Sequence, residues 1–475
     1  MEVSVHFHEH IGSVLLKREG KKDMEENKMG VMPVKKLLIN MSVPMIISML
    51  IGALYNVVDS LFVSRFSEDA LSAVSLAFPI QNIIIAIGTG IGVGVNTLLS
   101  RYLGEKKYEK ANQTALHGLV LGMTFYLLIM IFGIFGVHTF YTIQTDAGNI
   151  VSMGFDYLTI VCVFSFGQMF EMILEKLLQS TGRTIYTMVM QVTGAVVNIV
   201  LDPILIFGWF GFPEMGAKGA AIATVFAQIV SMLLGIVFNL LKNKEIDFSP
   251  RKFHLDLTYI KQICAVGIPT MIMQSMSSVM CFGINKLLLA YSTTATAVFG
   301  AYFKLQTFVY MAVFGLNNAL IPIVAYNYGA GKGDRIRTAI RLSGIYSAVI
   351  GAVGTFLMEL FPVRLIGMFS PSEEMYMLGI TALRILGLTF IFGGVTVMVS
   401  YALQGFSRGV SSLVVSAGRQ VIILLPLAAV LGKLMGITGI WWSFCVAEVM
   451  DMILSTLFLG YIEKKEISAL ERKRT

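Results

Sequence analysis

The 475-residue sequence is poor in charge: 14% of its residues are Asp, Glu, Lys or Arg. An average soluble domain carries about 25%. Too few ionised groups remain to cover a water-facing surface, which excludes a soluble globular fold. Cysteine is scarce as well. Cys162, Cys264, Cys281 and Cys445 each lie in an apolar stretch, and none has CxxC spacing. Small buried residues are the expectation there, with neither disulfides nor a metal site. The six histidines show no HExxH or paired-ligand spacing. No GxSxG, paired-aspartate or zinc motif occurs in the apolar stretches, which argues against an intramembrane enzyme. Gly88 to Gly94 has the glycine density of a nucleotide loop, but it lies in an apolar run with no strand before it. Close helix packing is the better reading.

Long apolar runs are abundant. Twelve are long enough to cross a bilayer: 37–64, 71–99, 114–140, 149–179, 184–208, 217–241, 258–291, 296–326, 337–362, 373–404, 411–432 and 437–461. The expected fold class is an all-α membrane protein of twelve transmembrane helices. Residues 1–36 are polar and charged and are expected to form a disordered tail, with a second possible start at Met24. By the same reasoning residues 1–23 are expected to be dispensable. Residues 242–257 hold Lys242, Lys244, Arg251 and Lys252 and read as a linker between halves 37–241 and 258–461. Residues 462–475 form a C-terminal tail.

Basic residues set the orientation. Arg101, Lys106, Lys107 and Lys110 fall between the second and third runs; Lys332, Arg335, Arg337 and Arg341 fall between the eighth and ninth. Lys464, Lys465, Arg472, Lys473 and Arg474 end the chain. The opposite side offers Arg65, Lys218, Arg364 and Lys433. Both termini are therefore expected in the cytoplasm of a cell-membrane protein, with Glu214 outside. The asymmetry also accounts for the +7 formal charge without a nucleic-acid partner.

The halves repeat. Pro44 and Pro269, Gly104 and Gly329, and Arg183 and Arg408 are separated by one constant interval. Leu178-Gln179-Ser180 matches Leu403-Gln404-Gly405 at the same offset. Six helices per repeat give both halves one orientation, related by a pseudo-two-fold along the membrane normal. Such a pair of lobes encloses a cleft and rocks between two openings, which suits a carrier better than a channel.

One stretch stands out within this frame: Asn198-Ile199-Val200-Leu201-Asp202-Pro203. An Asp at the centre of a membrane helix costs roughly 2.5–3.5 kcal/mol on insertion scales. Asn198 and Asp202 share one helix face, and Gln191 lies on much the same face. Pro203 cannot donate a backbone hydrogen bond, so it loosens the helix there. An ion or proton site is one reading; an Asp that caps a kink is the other. The repeat acts as a control. Asp202 aligns with Leu425 beside Pro426, Glu175 with Ser400, and Asp59 with Ile284 or Asn285. The same lobe without these acids means the architecture does not need them. Glu171, Glu175 and Gln168 form a polar stripe on the fourth run, and Tyr157 is five helical turns before Glu175, on the same face. Lys304, Arg384, Arg419 and Glu448 are charges deep in the second half. Pairing is expected in a membrane interior, with Arg384 or Arg419 as the partner of Glu448.

These residues resemble the multidrug and toxic compound extrusion (MATE) family, most of all its bacterial MepA-like branch. The resemblance rests on Pro44 with Tyr55-Asn56-Val57-Val58-Asp59, Leu178-Gln179-Ser180-Thr181-Gly182-Arg183, Asn198 to Pro203, and Gly216-Ala217-Lys218-Gly219-Ala220-Ala221. It covers about 37–461 and implies an antiporter, not an enzyme. Such a protein would export amphipathic organic cations against an inward flow of H⁺ or Na⁺, without a cofactor, as a monomer in the lipid bilayer. It implies ion or proton coupling at Asp59, Asn198, Asp202, Tyr157 and Glu175, with Na⁺ held by Asp59, Asn198 and Asp202 if that is the ion. Gln191, Glu171, Lys304 and Arg384 are the additional candidates for polar cavity residues. Glu175 stands where the family often has Asn, and Ala220 where it often has a hydroxyl; both departures weaken a Na⁺ scheme. The alternative is a flippase for a lipid-linked saccharide, which would favour a wide cationic cavity.

Overall fold

The computed structural model describes residues 27–249, 253–369 and 371–472. Among these there is no strand. The first lobe contains α1 (Val34–Phe66), α2 (Glu68–Gly104), α3 (Tyr108–Phe135), α4 (Gly148–Val163), α5 (Phe166–Ser180), α6 (Thr184–Ile206) and α7 (Gly216–Lys242). The second contains α8 (Leu257–Leu289), α9 (Thr293–Gly329), α10 (Gly333–Leu360), α11 (Glu373–Gly387), α12 (Thr389–Gly405), α13 (Gly409–Ala417) and α14 (Leu424–Arg472). The fourth apolar run is broken into α4 and α5, which meet at 43°, and the tenth into α11 and α12 at the same angle. Conversely, the last two runs join into one helical stretch from Gly409, kinked where Gly436 takes φ +66°. With that last stretch taken as two spans on either side of Gly436, the described residues contain twelve candidate crossings.

The repeat is visible in the helix caps. Ser67 accepts the Ala70 amide at 3.0 Å at the start of α2. Ser292, its counterpart at the repeat offset, accepts the Thr294 amide at 3.1 Å at the start of α9. Each hydroxyl satisfies a backbone N–H that the first helical turn leaves without a partner.

Burial shows which way the lobes open. In α2, every residue from Gly90 to Ser100 is buried; in α9, every residue from Gly315 to Asn327. These segments are repeat counterparts, at the ends of the two helices that reach the basic loops. The opposite halves bury scattered residues instead: Ala70, Ala73, Ala77, Ile84 and Ala86 in α2, and Ala295, Val298, Phe299, Ala301 and Tyr302 in α9. A helix buried all round has neighbours on every side; a partly buried one has an open flank. The cores agree. One runs from Met29 through the first lobe into the basic-loop ends of α9, α10 and α12. The second lobe's other half has a separate core, between residues 280 and 447. The lobes are thus fused at the basic face and apart at the opposite one.

Residues 27–36 are not the disordered tail that their composition suggests. Lys28–Val31 form a helical turn and Val34 already belongs to α1. Met29 is fully buried. Asn27 donates to the Thr181 carbonyl of the first half at 3.2 Å and to Glu245 of the linker at 3.3 Å. From the second lobe, Asn327 and Arg335 donate to the Met29 carbonyl at 3.1 and 3.0 Å. Lys332 reaches the Gly30 carbonyl at 2.9 Å, and Arg335 the Met32 carbonyl at 2.7 Å. The segment is a strap across both lobes, held chiefly through backbone carbonyls, which leave no signature in side-chain periodicity. Residues 1–26, including the rest of that expected tail, lie outside the described residues. Arg335→Ala removes the charged donor to the Met29 and Met32 carbonyls, a loss of about 1–3 kcal/mol for hydrogen bonds to a charged group. The purified protein should melt several degrees lower, while removal of residues 1–23 should leave the melting temperature unchanged. Equal melting of Arg335→Ala and wild type would mean that these bonds do not hold the strap.

The C-terminal tail also departs from expectation. Helix α14 continues through 462–472 and buries Ile462, Glu466 and Ile467. Glu466 accepts from Tyr328 at 2.5 Å and pairs with Arg408. Burial opposes its ionisation, but those two hydrogen bonds outweigh it and hold the carboxyl below its ordinary range. Arg183, the counterpart of Arg408, pairs with Glu245 at 2.9 Å.

Candidate ion and substrate site

Helices α1 and α6 bring Asp59 and Asp202 together with their carboxyl groups in hydrogen-bonding reach. Asp202 is fully buried. Asn198, one turn earlier on α6, donates to Asp202 at 3.2 Å and reaches the Thr224 hydroxyl of α7 at 3.4 Å. Asp59 Oδ1, Asp202 Oδ2 and Asn198 Oδ1 are buried without a hydrogen-bond partner. Two facing carboxylates supply no donor to one another, so each lacks what a proton or a small cation would provide. Buried acceptors left unmet cost free energy, and here three occur side by side. Tyr157 of α4 is buried beside Asp59, and its hydroxyl accepts from Gln81 of α2 at 2.7 Å. The half-buried Tyr55 lies near Asp59, Asp202 and Glu171.

Tyr55 and Asn198 beside the aspartates line a cavity of about 260 Å³, walled by the first lobe with Met311 of α9; Asp59 and Asp202 are not among its lining residues. Tyr55, Asn56, Asn198 and Thr224 line one part, and Gln168, Glu171, Glu175, Gln191 and Ser231 another. Glu175 is not in the aspartate cluster itself. It accepts from Gln191 at 3.2 Å, and Gln191 is two helical turns from Asn198, about 10 Å along the helix. Glu171 and Glu175 are both buried, so neither simply faces water at a helix end. Of the charged lining residues described, two are acidic and none is basic. Met49, Met172 and Met311 add flexible apolar surface.

Lys304 and Arg384 are exposed and do not line this cavity. The Arg384–Glu448 alternative is corrected: Arg384 approaches Glu359 at 3.9 Å, and Glu448 is taken by Arg419 at 3.2 Å. Depth along a run gives no information about which face a side chain occupies. Arg419 sits in a π-helical turn, Gly418–Ile423, which shifts the helical phase of the residues around it. Ala220, the expected gap in a hydroxyl scheme, is buried, and the hydroxyl at Asn198 comes from Thr224 instead. Thr224 is one turn beyond Ala220 on the same face, and that spacing was the available signal. Gln81 could have been found in the Gln81-Asn82 amide pair that interrupts an apolar run.

The fold and this site together define a multi-pass membrane transporter of two six-helix lobes. The MatE family model matches residues 44–204 and 269–430, two segments that begin at the repeat-related prolines, and the chain belongs to this family. Relatives include the multidrug export protein MepA of Staphylococcus saprophyticus, 27% identical over 429 residues, with 90% of this chain and 93% of that protein covered. MepA of Staphylococcus haemolyticus is 26% identical with the same coverage. Among solved structures, the outward-facing conformation of a multidrug resistance MATE family transporter superposes with a TM-score of 0.88 at 26% identity, covering 95% of this chain and all of that one. A Pyrococcus furiosus transporter of the wider MOP superfamily, described as having a binding pocket of reversed polarity, gives 0.86 at 25% identity, with the same coverage.

Proposed function

We propose that this chain is a cation-coupled antiporter that exports amphipathic organic cations by alternating access. It would act in the cell membrane, with both termini in the cytoplasm and no catalytic chemistry. The observation that carries the reading is the cavity lining: Glu171 and Glu175 with no basic side chain among the described lining residues. A membrane-buried acidic cavity attracts cations strongly, because low dielectric strengthens each Coulomb contact. A lipid-linked pyrophosphate, the alternative cargo, would meet two carboxylates there. Asp59 and Asp202 would take the coupling H⁺ or Na⁺ on the three unmet oxygens, and the ion would shift the lobes by its differential affinity for the two states.

Ethidium uptake into everted vesicles, with lumen-high H⁺ and Na⁺ gradients imposed separately, tests this. Export should follow at least one gradient and stop when that gradient is collapsed. Gradient-independent ethidium movement, or none while a lipid-linked saccharide is flipped, would refute it.

A further inference from the structure

Lys176 is a lysine of the first lobe buried at its border with the second. Its stem packs against α2 so closely that a Cβ on Gly92 would lie 2.7 Å from Lys176 Cγ. The ammonium donates to Gln179 Oε1 at 2.9 Å and, across the lobe boundary, to Asn318 Oδ1 of α9 at 3.0 Å. Gln179 in turn donates to Glu175 Oε1 at 2.6 Å. One amide therefore links a cavity carboxylate to a cation that grips the other lobe. Asn318 lies in the all-buried part of α9, at the closed basic face.

The internal repeat indicates what this arrangement is not for. At the repeat offset Lys176 corresponds to Tyr401, Glu175 to Ser400 and Asn318 to Val93. Tyr401 packs against a small apolar cluster of Val93, Val266 and Ile321. The same contact between lobes is thus built without charge on the pseudo-symmetric side. Closure of the basic face does not require an ammonium at this position.

We infer that Lys176 is a positioning residue that couples the charge on Glu175 to closure of the basic face. This deepens the transport reading and rests on it for its purpose. With Glu175 ionised, the buried ammonium has a compensating charge one amide away, and its bond to Asn318 holds the lobes together. Protonation of Glu175 leaves Lys176 without the compensating charge one amide away, which is strongly unfavourable for a buried ammonium. Relief comes when the lobes part at the basic face and the ammonium meets water. Protonation of Glu175 then favours opening toward the basic side, and loss of that proton favours re-closure.

The test needs no transported compound. Spin labels replace Glu109 and Asp334, both exposed on the basic face, in the full-length protein in lipid nanodiscs. Distance distributions from double electron–electron resonance then give the ratio of open to closed basic face. Glu175→Gln should raise that ratio about tenfold, the scale of a hydrogen bond to a charged group. In a Lys176→Met background the same change should leave the ratio unaltered. Should Lys176→Met fold poorly, the pair Lys176→Tyr with Asn318→Val copies the second lobe's Tyr401 and Val93 and supplies the uncharged background. Equal shifts in both backgrounds, or no shift in either, overturn the coupling. An intact cycle supports it even if ethidium is not carried, which would overturn only the choice of cargo.

Discussion

Asp202→Asn should abolish gradient-driven ethidium efflux while the protein still folds and inserts. The substitution keeps the shape of the side chain and an oxygen for Asn198 to bond, now at 3.2 Å. It removes one of two facing carboxyls, and with it the charge that attracts a proton or cation to the unmet oxygens. An ion acts on the lobes through its differential affinity for the two states, and a loss of about 3 kcal/mol there corresponds to roughly a hundredfold in population. Stability should hold, because a buried acid with an unmet oxygen is itself costly. The second lobe has Leu425 at the aligned position, and its helices form without the acid. Asp59→Asn should behave in the same way. Ser400→Ala, at the site aligned with Glu175, removes a hydroxyl that pairs with Ser416 at 3.2 Å and should change efflux little. Efflux by Asp202→Asn at the wild-type rate, with unchanged pH and Na⁺ dependence, would make Asp202 a structural residue.

An equally large effect is expected from a side chain at Gly104 or Gly329. A Cβ on Gly104 would overlap the Tyr326 carbonyl, and one on Gly329 would overlap the Arg101 carbonyl. Each obstacle is the backbone of the opposite lobe, so no rotamer change can relieve it. The clash exists only when the basic face is closed. Gly329→Leu should therefore leave each lobe folded, hold the protein open on that face, and lower efflux by about a hundredfold or more, since the closed state would lose several kcal/mol. Cysteines placed at exposed basic-face positions near the boundary should become more reactive to a water-soluble maleimide in the variant. If Gly329→Leu transports normally, the closed contact of α2 and α9 is not part of the cycle.

Much of this frame was legible in the sequence. The constant offset already paired Gly104 with Gly329 and Arg183 with Arg408, and both pairs occupy matching places at the basic face. The aspartate cluster was legible because an acid in a long apolar run is too expensive to be incidental. Partner choice was not legible for Arg384, since hydropathy gives depth and not azimuth, and a π-helical turn at Arg419 changes the azimuth. The strap was missed because its hydrogen bonds end on the carbonyls of Met29, Gly30 and Met32, which any sequence possesses. Lys176 gave no warning either. A lone lysine near the end of an apolar run has the sequence profile of a snorkelling side chain, and only the folded lobes show Asn318 beside it.

The central claim is that a cation at Asp59 and Asp202 decides which face of the two lobes is open. The most direct measurement is the Glu109–Asp334 spin-label distance while pH, and separately Na⁺, is stepped in wild type and in Asp202→Asn. The wild-type distribution should move between closed and open basic face with at least one of the two ions, and the variant's should stay fixed. A variant that moves as the wild type does, at the same ion concentrations, would contradict the account.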